Sequence, residues 1–163
     1  MLFFIALLLR LVPTIFFPSS VSGDNFQYNQ IATSLAEGKG YSIEGQPTAV
    51  REPVLPFLTS ITYRLFGQDL RWMFGFQAIL GAITVLLAYW LGQEVFSKKA
   101  GWFAATLTAI YPNLILFTRT LLTETLVALF LTIFTLTLIK AIKEKKNNLY
   151  IISGLSLGLL ILT

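Results

Sequence analysis

The chain has 163 residues, of which 55% are hydrophobic and 12% are charged, and its mean hydropathy is +0.72. A soluble domain usually carries about twice that charged fraction, so the composition identifies an integral membrane protein. Because the chain has no His and no Cys, a Ser-His-Asp or Cys-His catalytic site, a His-ligated zinc site and a disulfide are excluded.

Five hydrophobic stretches are predicted to be transmembrane helices. The first, Met1 to Phe17, differs from a signal peptide because Arg10 lies within the apolar run and no small-residue cleavage site follows. The next three are each close to the ~20 residues that cross a bilayer core. They run approximately over 72–96, 100–117 and 121–139. A fifth begins near Leu149 and is still hydrophobic at Thr163, so residues 1–163 are predicted to be the N-terminal part of one transmembrane domain, ending within that span.

The distribution of Lys and Arg predicts the orientation, because these residues are retained on the cytoplasmic side. The links between spans two and three and between spans four and five hold Lys98, Lys99, Lys140, Lys143, Lys145 and Lys146. The long first loop has a net negative charge instead, from Lys39, Arg51, Arg64, Asp24, Glu37, Glu44, Glu52 and Asp69. We therefore expect this loop, and the short link around Arg119, to face the outside of a bacterial or archaeal plasma membrane, or a lumen in a eukaryote. Basic residues placed in this way predict no nucleic-acid partner.

Two amphipathic helices are predicted within the first loop. Apolar residues recur at helical spacing from Tyr28 to Ala36, and Gly38 follows as a stop signal. A second helix is predicted from Val54 to Phe66, with Gly67 closing it, and its largely apolar face is typical of a helix lying along the membrane surface. The predicted fold is an all-α polytopic membrane protein with a long external first loop.

Asp24, at the start of the first loop helix, is the leading candidate for a catalytic base, since an ionised carboxylate can accept the proton of a hydroxyl. The alternative is a simple helix cap. Glu124 is the second candidate, because an acidic residue at the edge of a hydrophobic span is costly unless it is paired or hydrated. Its alternative is an ion pair with Arg119. Arg10, within the first span, is a functional candidate for the same reason, although extension of its side chain to the membrane interface is the favoured interpretation.

Arg51 precedes the Glu52-Pro53 step of the first loop and is a candidate ligand for a phosphate at the membrane surface, since its guanidinium donates bidentate hydrogen bonds. The alternative is a solvated pair between Arg51 and Glu52. Tyr28, Tyr41 and Tyr63, each taken by itself, have the features of interfacial aromatic residues.

Four segments, in this order relative to the spans, resemble the GT-C superfamily of glycosyltransferases, which includes protein O-mannosyltransferases and lipid A aminoarabinose transferases. The segments are Gly23-Asp24-x-x-x-Tyr28-x-x-Ile31-Ala32, Gly38-x-Gly40-Tyr41, Arg51-Glu52-Pro53-x-x-Pro56-Phe57-Leu58 with Tyr63-Arg64-Leu65-Phe66-Gly67, and Arg119-x-x-Leu122-Thr123-Glu124.

The resemblance implies an enzyme that takes a sugar from a polyprenyl-phosphate carrier and delivers it to a protein, lipid or glycan acceptor at the outer side of the membrane. It implies that Asp24 is the base or orienting group, that Glu124 organises the site, and that Arg51 and Tyr28 bind substrate. Asn25 stands where several relatives carry a second acid, and Leu55 where many have Tyr. A bound metal is therefore not predicted, although a divalent cation is left open.

A non-enzymatic polyprenyl-phosphate carrier or transporter subunit is the alternative function. A transporter is expected to have spans broken at Gly or Pro with polar groups near the midplane. Spans two to four show little of that pattern, and the polar residues gather at the outer surface, which favours the enzyme.

Overall fold

The computed structural model describes residues 1–16 and 23–163, so Phe17 at the end of the predicted first span and Ser22 ahead of Asp24 lie outside the described residues. The described chain is almost entirely helical, which confirms the all-α polytopic class. Its helices are α1 (Leu2–Phe16), α2 (Asp24–Ala36), α3 (Val54–Phe66), α4 (Leu70–Val95), α5 (Lys98–Ile110), α6 (Pro112–Leu116), α7 (Glu124–Glu144) and α8 (Asn147–Ile161). A single 3-10 turn, Phe117–Arg119, follows α6.

Two of these helices, α4 and α7, are long and apolar enough to cross a bilayer. Together, α5 and the segment Pro112–Arg119 are also long and apolar enough for a third crossing if they form one span, although they are bent by 56° relative to each other. The apolar helices α1 and α8 have 15 residues each and are shorter than a straight span requires. The predicted second and fourth spans thus correspond to α4 and α7, whereas the third is a broken helix.

The break between α5 and α6 has a local cause at Pro112. Proline has no N–H to donate, and it disfavours helical backbone at the residue before it. Accordingly Tyr111 is extended, with φ −64° and ψ 116°, and its N–H makes a hydrogen bond of 2.9 Å to the carbonyl of Leu107 as α5 ends. The prediction that spans two to four are largely unbroken is therefore wrong for the third.

The two predicted helices of the first loop are present as α2 and α3. Gly67 ends α3 with φ 88°, a conformation that disfavours other residues, and donates its N–H to the carbonyl of Tyr63. The two helices are tied together by the Tyr63 hydroxyl, which donates to Asn29 Oδ1 at 2.5 Å. Between them lies a short antiparallel hairpin, β1 (Ser42–Ile43) and β2 (Gln46–Pro47), which the sequence did not predict.

One hydrophobic core cluster joins the first loop to the N-terminal ends of α4 and α7. Its buried members are Tyr28, Leu55, Met73, Phe74, Leu121 and Leu126. Because these residues come from α2, α3, α4 and the segment that leads into α7, the first loop packs beside the link around Arg119, the neighbourhood that the sequence predicted.

A second cluster holds α1, α4 and α5 together through small residues. Its buried members are Ala6, Ala82, Val85, Ala105 and Ala109. On the same face of α5, Gly101 approaches α4 so closely that a Cβ atom there would lie 2.5 Å from the carbonyl oxygen of Tyr89. Small residues at such interfaces allow membrane helices to approach closely and gain packing contacts.

Candidate active site

Asp24 and Arg51 form an ion pair across 27 residues of sequence. Asp24 is the first residue of α2, one position inside the cap residue Gly23, and its Oδ1 accepts a hydrogen bond from Arg51 Nη2. The side chain of Asp24 is 58% exposed and that of Arg51 is 21% exposed. The carboxylate therefore makes a tertiary contact at the start of the helix, instead of the simple cap that was its alternative.

Arg51 is held in place by contacts on several sides. Its Nε donates to Gln27 Oε1 at 2.8 Å, and its guanidinium carbon lies 5.3 Å from the centre of the Tyr28 ring. The backbone beneath it is held by Tyr41, whose hydroxyl donates to the carbonyl oxygens of Arg51 at 2.9 Å and Glu52 at 3.2 Å. An arginine restrained in this way loses little conformational entropy when it binds an anion.

Glu52 bonds to Tyr28 and does not form the solvated pair with Arg51 that was the alternative. The Tyr28 hydroxyl donates to Glu52 Oε2 at 2.5 Å. This hydrogen bond, with a smaller contribution from the positive charge of Arg51, holds the pKa of Glu52 below its usual range. Burial and the same hydrogen bond raise the pKa of Tyr28. The residues Asp24, Gln27, Tyr28, Arg51 and Glu52 are called the Asp24–Arg51 cluster below.

Tyr28 occupies a different place from the interfacial position that its residue type suggests. It is 4% exposed and belongs to the core cluster with Leu121 and Leu126. Its ring lies beneath Arg51 and its hydroxyl is bonded to Glu52. This arrangement allows Tyr28 to orient the charged groups of the cluster from inside the protein.

Glu124 is the first residue of α7 and is half-buried. Its Oε2 atom is buried and has no hydrogen-bond partner among the described residues. No hydrogen bond joins Glu124 to Asp24 in the described part of the chain. They are connected through the core cluster, where Tyr28 of α2 packs with Leu121 and Leu126 on either side of Glu124.

A metal site is not formed by the described residues, in which no group of three or more acidic, His or Cys side chains is placed to hold an ion. A single buried carboxylate oxygen at Glu124 can instead bind a proton, a substrate hydroxyl or one cation that a substrate brings with it.

Comparison with known families assigns the chain. The family model described as dolichyl-phosphate-mannose-protein mannosyltransferase matches residues 46–163, well over half of the chain. The chain belongs to this family. Membership in the mannosyltransferase family confirms the predicted resemblance and implies a membrane glycosyltransferase that uses a polyprenyl-phosphate-linked sugar donor and a protein or glycan acceptor. Comparisons with curated proteins and with solved structures gave no match.

The matched region divides the Asp24–Arg51 cluster. Arg51, Glu52 and Glu124 lie within residues 46–163, whereas Asp24 and Tyr28 lie before them. The ion pair and the Tyr28–Glu52 hydrogen bond therefore attach α2 to the part of the chain that carries the mannosyltransferase family match.

Three residues with roles at or near the site were missed or misread in the sequence. Gln27 was not predicted to be a site residue, although it lies three positions after Asp24 and so on the same face of α2. Tyr41 was interpreted as an interfacial aromatic, yet it holds the backbone beneath Arg51. Arg10 was expected to extend to the interface, but it is 1% exposed and buried among α1, α4 and α5, so that prediction is wrong.

Proposed function

We propose that this member of the mannosyltransferase family transfers a sugar from a polyprenyl-phosphate carrier to an acceptor hydroxyl at the outer surface of the membrane. Asp24 is the base, Arg51 binds the phosphate of the donor, and the reaction takes place at the Asp24–Arg51 cluster. The proposal is supported above all by the contact between these two residues, in which a carboxylate, able to accept a proton, lies beside a guanidinium, able to bind a phosphate.

The chemistry requires one bond to form and one to break at the anomeric carbon of the sugar. The oxygen of the acceptor hydroxyl attacks this carbon while the bond from the carbon to the phosphate oxygen breaks. The hydroxyl proton passes to the carboxylate of Asp24, whose Oδ1 contacts Arg51 and whose Oδ2 can accept the proton. The leaving group is polyprenyl phosphate, which departs with the bonding electron pair.

Arg51 is suited to stabilise the negative charge that develops on this leaving group. Its hydrogen bonds within the described chain use Nε and Nη2, and none of them uses Nη1. A phosphate oxygen can therefore bind at Nη1 while Gln27 and Asp24 keep the plane of the guanidinium oriented. Preorganised donors of this kind stabilise the transition state because they do not have to reorient during the reaction.

Glu124 is proposed to organise the acceptor side of the site, or a cation that accompanies the donor. The support for this role is its buried and unpartnered Oε2 atom, together with its position beside the core cluster that contains Tyr28. A carboxylate left in this condition is costly unless a substrate group completes its hydrogen bonding.

The outer placement of the site is supported by charge. The first loop has a net negative balance. At the other ends of the helices, lysines lie at the start of α5 and at the end of α7, where Lys143 pairs with Glu94 of α4 at 2.9 Å. Lysine-rich ends are retained in the cytoplasm, so the opposite ends, with the first loop, face outward.

A lipid carrier or transporter is the second candidate, and the observation that favours it is the span broken at Pro112 with the buried Arg10 beside it. Broken spans with charged groups are typical of transporters. Family membership favours sugar transfer instead.

Vesicles that contain the full-length protein and a radiolabelled polyprenyl-phosphate sugar separate the two functions. Transfer predicts that the label leaves the lipid fraction and becomes bound to acceptor, and that polyprenyl phosphate is released in equal amount. If the labelled lipid crosses the bilayer with its sugar still attached and no acceptor is labelled, the carrier function is correct.

A further inference from the structure

Arg10 donates hydrogen bonds to the C-terminal carbonyls of a different helix. Its Nη2 donates to the carbonyl oxygen of Thr108 at 3.0 Å, and its Nη1 donates to those of Ala109 at 3.4 Å and Ala6 at 3.1 Å. Thr108 and Ala109 are among the last three residues of α5, at the point where the third span breaks. Arg10 therefore joins α1 to the broken end of α5.

The break leaves these carbonyls without their usual partners. In an unbroken helix the carbonyl of Thr108 would accept from the N–H of residue 112, but residue 112 is proline. The extended backbone at Tyr111 then turns the chain away from the axis of α5. A backbone carbonyl inside a membrane cannot turn to water, so its hydrogen bond has to come from the protein. The guanidinium fork of Arg10 supplies it.

Both the space and the charge around Arg10 fit this role. At Gly81 of α4, a Cβ atom would lie 2.6 Å from Arg10 Nε and 2.9 Å from its Cδ, so the absence of a side chain makes room for the guanidinium. The carbonyl end of α5 carries a partial negative charge that favours a cation. A cavity of about 10 Å³ beside Arg10 is lined by Thr84, Thr108 and Thr125 among others, with no carboxylate.

The same region contacts the link that leads to Glu124. The Cβ position of Gly81 lies 3.3 Å from Thr118 Cγ2, so Arg10 and Thr118 both pack against this glycine. Two positions further on, the carbonyl of Thr120 accepts from Gln77 Nε2 at 2.8 Å, and Gln77 is fully buried in α4. Arg10 and Gln77 thus fix the course of the segment between the end of α5 and Glu124.

We propose that Arg10 is a positioning residue for the transfer reaction. By holding the broken end of α5, it sets the course of residues 112–123 and so places Glu124 at the start of α7. This inference rests on the function proposed above. It makes Arg10 a requirement for catalysis through the geometry of the third span, without contact between Arg10 and substrate.

The first test uses Pro112→Ala as a second-site change in the full-length protein. Arg10→Met is expected to lower the thermal unfolding temperature, because the carbonyl of Thr108 loses its donor. In the double variant the alanine that replaces Pro112 brings an N–H that can bond to Thr108, so stability should return. Sugar transfer should be low in Arg10→Met and should stay low in the double variant, because the straightened helix changes the course of residues 112–123 and so displaces Glu124. A double variant that is no more stable than Arg10→Met, or one that recovers transfer, would overturn the inference.

The second test uses Arg10→Lys, which keeps the charge and reaches one carbonyl, so the protein is expected to insert and fold. We expect kcat to fall by about tenfold to a hundredfold, the usual scale for an error of about 1 Å in positioning, while KM for the polyprenyl-phosphate sugar is unchanged. An unchanged kcat, or a loss that appears only in KM, would contradict the role of Arg10.

Arg64→Met is the matched control, since Arg64 also donates to the last carbonyls of a helix, those of Leu35 and Ala36, but in an exposed position. Water can replace those bonds, so its loss should be small and Pro112→Ala should not reverse it. The stability comparison does not depend on activity. A wild-type protein without transferase activity would refute the proposed function and with it the catalytic role of Arg10, whereas an active wild type with an unaffected Arg10→Lys would refute the present inference alone.

Discussion

Asp24 is the residue at which an amide substitution separates acid–base chemistry from structure. Asp24→Asn is nearly isosteric and can still receive a hydrogen bond from Arg51 through its amide oxygen, but it cannot take up a proton. If Asp24 is the base, transfer by the full-length protein should fall by about two to four orders of magnitude, the usual contribution of general base catalysis. The measurement is the initial rate of sugar transfer from the polyprenyl-phosphate donor at saturating acceptor.

Asp69→Asn is the matched control for this prediction. Asp69 also lies at a helix start and also pairs with an arginine, Arg71, at 2.6 Å. As a cap, Asn is about equivalent to Asp, so this variant should transfer sugar at close to the wild-type rate. A membrane-inserted Asp24→Asn protein that behaves like the Asp69→Asn control would eliminate Asp24 as the base and direct attention to Glu124.

Arg51 is the residue at which shape can be separated from charge. Arg51→Lys keeps the positive charge but loses the planar fork that bonds to Gln27 and Asp24 and offers Nη1 to a phosphate. We expect weaker use of the lipid donor, by about 1 to 3 kcal/mol for a hydrogen bond to a charged group, seen as a lower kcat/KM for the donor. Arg71→Lys, at an exposed ion pair, serves as the control. Equal donor dependence in the two variants would argue against phosphate binding by Arg51.

At the residue scale, the sequence identified candidate site residues by their type and position, but it did not identify the side chains that each of them contacts. Asp24 and Arg51 were selected separately, from a helix start and from a turn, and the structure brings them together. The alternative pair of Arg51 with Glu52 relied on sequence adjacency. Adjacent side chains in an extended turn point in different directions, and here each one meets a residue of α2 that lies more than 20 positions away.

At the scale of elements, hydropathy located the helices well but could not detect the break in the third span. The helices α4 and α7 begin within three residues of the predicted starts, because their apolar runs are long and end at charged residues. The segment from α5 to α6 is apolar enough as a whole to pass for one span, so its mean hydropathy carries no sign of a bend at Pro112. Proline also favours the first turn of a new helix, which is the position that Pro112 occupies in α6.

The close contact between α4 and α5 provides a test at the same scale. In Gly101→Ala the new Cβ would lie 2.5 Å from the carbonyl oxygen of Tyr89, a backbone atom that cannot move aside. The two helices must separate, and we expect a destabilisation of about 1 to 3 kcal/mol, the usual cost of overpacking. It can be measured as a loss of thermal stability in detergent.

The matched control is Gly154→Ala in α8, where a Cβ would meet nothing within 4 Å. Alanine favours helix over glycine by roughly 1 kcal/mol, so this variant should be as stable as the wild type or more stable. If Gly101→Ala raises stability by the same amount as Gly154→Ala, the close packing of α4 on α5 is not present in the protein.

At the scale of the whole molecule, the orientation in the membrane can be tested directly because the chain has no cysteine of its own. Gln46→Cys lies in the exposed hairpin of the first loop, and Asn147→Cys lies at the exposed start of α8. An impermeant thiol reagent added to intact cells should label the first and should label the second only after the membrane is permeabilised. The opposite labelling pattern would place the Asp24–Arg51 cluster on the cytoplasmic side.

The wide sequence separation within the cluster also constrains how the protein is made. Arg51 leaves the ribosome 27 residues after Asp24, and at roughly 5 to 20 residues per second this interval lasts roughly 1 to 5 seconds. During that time α2 emerges beside the membrane with neither the ion pair to Arg51 nor the hydrogen bond to Glu52. These two contacts can form only after residues 51 and 52 have emerged, and the core that packs against Tyr28 is completed only when α4 and the start of α7 have followed.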